Sequence, residues 1–139
     1  MKKSVINNYS IQVADIEDVD KIKYIADKNG KQLGFVVKNT IIQGIERKEL
    51  LVAKQDNIVL GFINYHKKQD NITTIYELAV DFRYRHKGIA KALINKISKP
   101  IELKCPINNE SNEFYKKIGF ILKEVIQGKK QNLNLWEYK

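Results

Sequence analysis

The sequence predicts a domain of mixed α/β class, and three observations support this. Some segments alternate apolar and polar residues, which is typical of strands, and others have apolar residues at helical spacing. The two kinds of segment alternate along the chain. Apolar residues make up 43% of the 139 residues, enough for a buried core. No repeat, low-complexity segment or linker interrupts the pattern. We therefore expect a single domain over residues 1–139, with helices packed on a sheet.

The first half of the chain contains the patterns of three strands and two helices. Asp15 or Asp18 can cap the first helix, and Asn29-Gly30 can end it. Gly44 lies inside the second helical pattern, where glycine is unfavourable. In chain order we expect a strand at 9–14, helices at 18–29 and 39–49, and strands at 50–54 and 58–66.

The second half continues the alternation. Ile89, Leu93 and Ile94 have helical spacing, and Pro100 ends that helix. Gly119 ends another helix, at a position that requires left-handed backbone. In chain order we expect a strand at 72–80, a helix at 87–97, a strand at 101–105, a helix at 109–118, and strands at 120–126 and 132–138.

The formal net charge of +9 comes mostly from lysine. Of the 25 basic residues three are arginines, Arg47, Arg83 and Arg85, in a chain that is also rich in isoleucine and asparagine. This composition indicates bias toward lysine as much as selection for a basic surface. Proteins that bind nucleic acid usually use arginine, whose guanidinium can donate two parallel hydrogen bonds to a phosphate or a guanine. We therefore expect an anionic ligand but no nucleic-acid partner.

Cysteine content and hydropathy indicate in which cellular compartment the protein is expected. Cys105 is the single cysteine, which excludes an internal disulfide and a cysteine-based zinc cluster, and its apolar neighbours predict a packed core thiol. No apolar run approaches the roughly 18 residues that cross a membrane. The basic residues 1–4 precede no apolar signal-peptide region. We expect a cytoplasmic protein without membrane attachment, and no metal site, because no ligand cluster is visible.

Residues 78–90, LAVDFRYRHKGIA, combine a strand end, a basic turn and a helix start. The first turn of a helix presents unpaired N–H groups and the positive end of its dipole. Gly88 and the small Ala90 allow an anion to approach that backbone, which describes a phosphate-binding site. The alternative is an ordinary turn in which Gly88 relieves strain and the charges are solvated. The basic side chains around this turn are Arg83, Arg85 and Lys87.

Residues 108–120, NNESNEFYKKIGF, contain the second candidate segment. If the strand at 101–105 lies beside 72–80, the helix in this segment projects a face toward the same crevice. The phenol of Tyr115 could there donate a proton to a leaving group. The alternative is that Tyr115 is a core side chain beside Phe114, which is the commoner fate of such a tyrosine.

Together the two segments resemble the GNAT N-acetyltransferase family. Arg85-x-x-Gly88-x-Ala90 resembles that family's acetyl-CoA pyrophosphate motif, Arg/Gln-x-x-Gly-x-Gly/Ala. Asn108, Tyr115 seven residues later and the following Gly-Phe resemble its later motif. The order of elements resembles the family along essentially the whole chain. The resemblance implies the GNAT acyl-CoA N-acyltransferase fold, with a central mixed, mostly antiparallel sheet of about six to seven strands and about four flanking helices.

The resemblance also implies a role for each matching residue. The strand end at Leu78, Ala79 and Val80 would splay from its neighbour and pair with the pantetheine arm, and a backbone N–H near Val80 would polarise the thioester carbonyl. Asn108 would hold the cofactor or orient the helix. Tyr115 would protonate the departing thiolate. The residues that would bind the pyrophosphate of acetyl-CoA, mainly through backbone amides, are Arg85, His86, Lys87, Gly88, Ile89 and Ala90.

The attacking amine needs a base, because it reacts only when neutral and a lysine-type amine has a pKa of about 10.4 in water. Glu77 is the candidate base, directly or through a water, on the strand face shared by Ile75 and Ala79. The alternative is a glutamate–lysine pair on an exposed sheet face. His66 is the second candidate base, since the ordinary pKa of histidine is about 6.5. His86 is expected to contact the cofactor or be solvated.

We therefore expect an N-acetyltransferase that transfers the acetyl group of acetyl-CoA to an amine of a small molecule or protein, by direct attack in a ternary complex. The alternative is a non-catalytic acetyl-CoA-binding module of the same fold, acting as a sensor or assembly subunit. The resemblance places acceptor recognition at 15–49 and 127–132. The lysines there predict weak affinity for polycations such as polyamines. Homodimers are common in the family, and a homodimer is compatible with the sequence.

Overall fold

The computed structural model describes residues 8–139. Residues 1–4, on which the expected absence of a signal peptide depends, lie outside the described residues. Within 8–139, no helix is both long and apolar enough to cross a membrane. In chain order the elements are β1 (Ser10–Val13), α1 (Val19–Lys28), α2 (Gly30–Leu33), α3 (Lys38–Glu46), β2 (Leu50–Gln55), β3 (Ile58–Lys67), β4 (Thr73–Val80), α4 (Ile89–Ile94), β5 (Ile101–Pro106), α5 (Ser111–Ile118), β6 (Ile121–Ile126) and β7 (Leu133–Tyr138).

The strands form one seven-stranded sheet in the order β1-β2-β3-β4-β5-β7-β6. The pairs β1–β2, β2–β3, β5–β7 and β6–β7 are antiparallel. The β4–β5 pair is parallel and joins Thr73 with Ile101 and Thr74 with Glu102. The expected mixed, mostly antiparallel sheet is therefore confirmed. The helix beyond the expected four is α2, a single turn.

The contacts group the chain into two compact units. The first unit contains the described residues up to Tyr65 together with Glu77–Lys96. The second unit contains His66–Tyr76 and Ile97–Lys139. Each unit has its own buried residues, and each carries part of the sequence-predicted site.

The core of the first unit forms where α1 and α3 bury their apolar faces with strands β2 and β3. A 3-10 turn at Ile16–Asp18 precedes α1 and carries a capping box, in which Asp15 Oδ1 accepts from the Glu17 amide at 3.0 Å and Asp18 Oδ2 accepts from the Asp15 amide at 2.9 Å. Both predicted capping residues therefore act at this turn, whereas Asp18, which is the N-cap of α1 itself, makes no side-chain capping bond to α1. The large, fully buried side chains of this core are Ile22, Ile25, Ile41, Leu50, Val52 and Phe62.

The core of the second unit contains the predicted core thiol. Cys105 is buried, and burial raises the pKa of its thiol to about 11, so the group stays protonated at neutral pH. The prediction of a packed core thiol is confirmed. The other buried apolar side chains on β5, α5 and β7, and the one just before β6, are Ile101, Leu103, Tyr115, Phe120, Leu135 and Trp136.

Two helices begin later than the sequence pattern predicts. α4 begins at Ile89 instead of residue 87, because Gly88 has a φ of +80° and so cannot belong to a right-handed helix. α5 begins at Ser111 instead of residue 109, because the Asn109 side chain accepts from the Ser111 amide at 2.8 Å and holds the chain in a turn. α4 also ends at Ile94, three residues early, with Asn95 as its C-cap.

Candidate active site

The turn between β4 and α4, residues 85–88, has backbone features of an anion-binding site. His86 and Gly88 both adopt left-handed backbone, with φ of +63° and +80°. In α4 the Ala92 amide donates to the Gly88 carbonyl at 3.0 Å, so the amides of residues 89–91 precede this first helical bond. Amides in such turns and helix starts attract anions. We call residues 85–88 the cradle turn.

The position of Gly88 leaves room for a ligand. At a φ of +80° any residue with a side chain is strained, and an ordinary turn would be enough to explain a glycine here. In addition, a Cβ built on Gly88 would meet no atom within 4 Å. The space beside the backbone is therefore open, as close approach of a phosphate requires. The cradle turn therefore meets one requirement of the expected pyrophosphate site, which is backbone open to close approach.

The basic side chains near the cradle turn differ in how they are engaged. Arg83 pairs with the buried Asp81, through Nε–Oδ1 at 3.1 Å and Nη2–Oδ2 at 2.8 Å. Burial alone would raise the pKa of Asp81, but hydrogen bonds from Arg83 and the charges of Arg83 and Arg85 lower it below its usual range. Arg83 thus balances an internal carboxylate. Arg85 and Lys87 are exposed within the turn itself.

Asn29 connects the cradle turn to its surroundings, a role the sequence does not reveal. Its side chain is buried at the end of α1, where Nδ2 donates to the Ile25 carbonyl at 2.8 Å and to the Val80 carbonyl at 3.4 Å. Its Oδ1 accepts from Arg85 Nη2. One asparagine therefore joins α1, the end of β4 and the cradle turn. In the sequence, Asn29-Gly30 indicates only a helix end.

The carboxyl end of β4 is fixed against β3. The Asp81 amide donates to the Leu60 carbonyl at 2.8 Å. A Cβ built on Gly61 would lie 2.9 Å from the Ala79 carbonyl oxygen, so this close approach of two strands requires glycine. Ala79 and Val80 are buried, and Leu78 is half-buried. The three residues expected to meet the pantetheine arm thus lie on firmly positioned backbone.

Glu77 is half-buried on β4 and accepts a hydrogen bond from Asn64 Nδ2 at 2.8 Å. Burial raises the pKa of its carboxyl group, while the Asn64 hydrogen bond and the positive charge of Arg47 oppose that rise. Among the described residues its partner is thus an asparagine and not a lysine. The alternative of an exposed glutamate–lysine pair is wrong.

Tyr115 lies in the second unit and is buried between two aromatic rings. Its ring meets Phe114 and Phe120 edge to face, with centroid distances of 5.3 and 5.4 Å. Burial, followed by the nearby Cys105, raises the pKa of the phenol, which stays protonated at neutral pH. The raised pKa keeps the phenol protonated but also makes it a weaker acid, so it does not by itself favour the role of proton donor. The side chain also contributes to the core, so the two interpretations of Tyr115 are compatible.

Asn112 orients α5, a role that the sequence does not assign to it. Its Oδ1 accepts from Trp136 Nε1 at 2.8 Å and from Asn134 Nδ2 at 3.1 Å. Its Nδ2 donates to the carbonyls of Pro106 and Asn109, both at 2.8 Å. Asn108, for which orientation of the helix was one expected role, is exposed. A tryptophan far along the chain cannot be matched to Asn112 by spacing alone.

The two histidines occupy different surroundings. His66 lies near the end of β3, in the second unit, and is half-buried. His86 lies in the cradle turn, in the first unit, and is exposed. Glu77 belongs to the first unit, as do Leu78–Val80 and the cradle turn. The structure therefore places the candidate base Glu77 in the same unit as the candidate cofactor site.

Comparison with known proteins identifies the class to which this fold and site belong. A family model described as an acetyltransferase (GNAT) domain matches residues 46–122, which is more than half of the chain. The match includes β4, the cradle turn, α4, β5 and α5. The chain therefore belongs to the GNAT acetyltransferase family.

Individual relatives agree with this assignment. The chain is 30% identical over 115 residues to an uncharacterized N-acetyltransferase of Methanocaldococcus jannaschii, covering 76% of this chain but 41% of that protein. Its fold matches Ard1 from Thermoplasma volcanium, with a TM-score of 0.80, 21% identity and coverage of 94% of this chain and 96% of that chain. It also matches Naa50 of Arabidopsis thaliana in complex with the bisubstrate analogue CoA-Ac-MVNAL, with a TM-score of 0.73, 22% identity and coverage of 94% and 98%.

Proposed function

We propose that this chain is an N-acetyltransferase that transfers the acetyl group of acetyl-CoA to an amine of a small molecule or protein, by direct attack in a ternary complex. The observation that carries the proposal is the cradle turn. It presents left-handed His86 and Gly88, open space and the start of α4 at the positions of Arg85-x-x-Gly88-x-Ala90, in a chain of the GNAT family.

Acetyl-CoA supplies the activated acyl group, and the protein supplies binding and orientation. In the proposal, the backbone amides of residues 85–90 bind the pyrophosphate, with Arg85 and Lys87 adding positive charge. The main chain of Leu78–Val80 pairs with the pantetheine arm. The position of the end of β4 supports this assignment. Gly61 allows β3 to approach it closely, and Asn29 donates a hydrogen bond to the Val80 carbonyl. Asn108, in the second motif, is proposed to hold the cofactor.

Three groups carry the proposed reaction. Glu77 accepts a proton from the attacking amine, directly or through a water, so that the nitrogen lone pair can form the new N–C bond. A backbone N–H near Val80 stabilises the oxyanion that develops on the thioester carbonyl. As the C–S bond breaks, Tyr115 gives its proton to the departing thiolate. Positioning of the two reactants supplies much of the remaining acceleration.

The acceptor is proposed as an amine, either of a protein or of a small molecule. The structural neighbour Naa50 was solved with an analogue that combines CoA, acetyl and a peptide. A protein or peptide amine is therefore one acceptor class to include. Small metabolite amines form the other class.

The test is release of free CoA thiol from acetyl-CoA by the purified chain, with a panel of peptide amines and small amines. We expect steady turnover with at least one class. Acetyl-CoA binding without thiol release across the panel would reject the enzyme and favour the non-catalytic module. Absence of acetyl-CoA binding would reject both, and with them the role of the cradle turn.

A further inference from the structure

Asn64 lies completely buried on β3, with 0% of its surface exposed, and connects two charged groups. Its Nδ2 donates to Glu77 Oε1 at 2.8 Å, and its Oδ1 accepts from Arg47 Nη2 at 3.3 Å. A guanidinium can only donate and an ionised carboxylate can only accept. The two contacts therefore fix the orientation of the Asn64 amide.

Gly44 explains how the Asn64 side chain fits under α3. A Cβ built on Gly44 would lie 2.5 Å from Asn64 Oδ1 and 3.0 Å from Asn64 Cγ. Any residue other than glycine would thus push the amide out of place. Glycine is among the least favourable residues inside a helix, so its presence in α3 has a packing reason that lies on β3.

The charged groups around this amide form a small network. Arg47 follows α3, and its Nε contacts Glu49 Oε1 at 3.0 Å while its Nη2 also donates to the Tyr65 carbonyl at 3.2 Å. Burial and the charge of Glu49 raise the pKa of the Tyr65 phenol, which stays neutral. Arg47 is therefore held in place by Glu49 and by backbone. Its positive charge acts on Glu77 together with the Asn64 hydrogen bond.

We propose that Asn64, oriented by Arg47 and admitted by Gly44, is a positioning residue that aims the Glu77 carboxylate and favours its ionised form. The inference rests on the proposed function, in which Glu77 is the base. A half-buried carboxylate that must accept a proton needs a donor to stay ionised at neutral pH. Asn64 provides that donor without adding a second titrating group.

The test compares Asn64→Leu with a matched control, Thr73→Val. Asn64→Leu keeps a side chain branched at Cγ, although a larger one, and removes both the donor to Glu77 and the acceptor from Arg47. Thr73, on β4, is also buried, and its hydroxyl has no hydrogen-bond partner among the described residues, so Thr73→Val removes a buried polar atom without breaking a hydrogen bond. Two quantities are measured, the titration of the Glu77 carboxyl carbon by NMR and the pH dependence of kcat/KM.

In Asn64→Leu we expect Glu77 to titrate at higher pH than in the wild type, and the acid limb of kcat/KM to move in the same direction. Activity at neutral pH should fall about tenfold, which corresponds to the loss of one hydrogen bond to a charged group, and should approach the wild-type value as the pH rises. Thr73→Val should leave both curves in place. An unchanged Glu77 titration in folded Asn64→Leu would overturn the proposal.

Gly44→Ala provides a second variant if Asn64→Leu does not fold. It should shift both curves in the same direction, because the new methyl group displaces Asn64 Oδ1. In a Glu77→Gln background, Asn64→Leu should cause no further loss of kcat, since its effect passes through Glu77. An additional loss there would contradict the inference. If the wild type releases no thiol with any amine, the proposed function fails, and the Glu77 titration still decides whether Asn64 controls that carboxylate.

Discussion

At Glu77, burial and hydrogen bonding act on one carboxyl group in opposite directions. Burial disfavours the charge and raises the pKa, while Asn64 and Arg47 favour it. The balance leaves a carboxylate that is more basic than one in water and still has a donor. This combination suits a group that must take a proton from an amine near neutral pH.

Replacement of Glu77 by glutamine should lower kcat by about 10²-fold or more, the usual contribution of a general base. Glutamine keeps the carbonyl oxygen that accepts from Asn64, so the fold should remain intact. Steady-state thiol release across a pH range measures this, and the acid limb assigned to Glu77 should disappear. An unchanged profile would transfer the role to another group, with His66→Gln as the next variant.

The same substitution makes a prediction about stability. The pKa of Glu77 is higher in the folded chain than its ordinary value, so folding carries a penalty at neutral pH that disappears as the pH falls through the raised pKa toward the ordinary one. Glu77→Gln should therefore raise the Tm at neutral pH and lose this advantage near pH 4. Thermal melts of both chains at the two pH values measure the difference. A gain that is the same at both would contradict the linkage.

Tyr115→Phe separates the two interpretations of that residue. Phenylalanine keeps the ring between Phe114 and Phe120, so stability should change little. Loss of the phenolic proton should lower kcat by about 10²-fold if Tyr115 is the acid. Thiol release and a thermal melt are measured on the same preparation. Full activity with a normal Tm would show that Tyr115 only fills the core.

At the scale of elements, the cradle turn is where strand, turn and helix meet. Gly88→Ala should raise the KM for acetyl-CoA about tenfold or more, because a methyl group enters the open space and the left-handed backbone is strained. Gly34→Ala is the matched control, since Gly34 has a φ of +72° and a Cβ there also meets nothing within 4 Å. Both variants should lose similar stability, and only Gly88→Ala should weaken acetyl-CoA binding. Equal KM values would place the cofactor elsewhere.

Element types were predictable from hydrophobic spacing, whereas several element ends were not. Every expected strand is present, since alternation of apolar residues is a local signal. The start of α4 depends on left-handed backbone at His86 and Gly88, and the start of α5 on the Asn109 side chain. These depend on dihedral angles and single hydrogen bonds, which apolar spacing does not record.

At the scale of the molecule, the net charge of +9 still predicts poor use of polycations as acceptors, but the lysines of residues 15–49 are not the main reason. Residues 15–49 carry seven basic and seven acidic residues, and Lys23 and Lys38 pair with Asp27 and Asp20 at 2.5 and 2.8 Å. The local lysines there are balanced by acids. Residues 127–132 carry Lys129 and Lys130 and no acid, so discrimination must come from these two lysines and from the long-range potential of the whole chain.

Spermidine should therefore be acetylated with a kcat/KM about tenfold or more below that of a neutral monoamine at low salt. The difference should shrink as ionic strength rises, because salt screens long-range charge. Thiol release at several salt concentrations measures this. Faster turnover of spermidine than of the monoamine would reject the prediction.

The sequence by itself determined the class of fold, the cradle turn and the family resemblance, because each depends on residues close together along the chain. Arg85, Gly88 and Ala90 form a readable motif for that reason. Only the tertiary structure showed that Asn64 meets Glu77, that Asn29 meets Arg85 and that Gly44 makes room for Asn64. These contacts join residues from different elements. A buried amide finds its partners through the packing of helices on strands, and one sequence records the amide but not its partners.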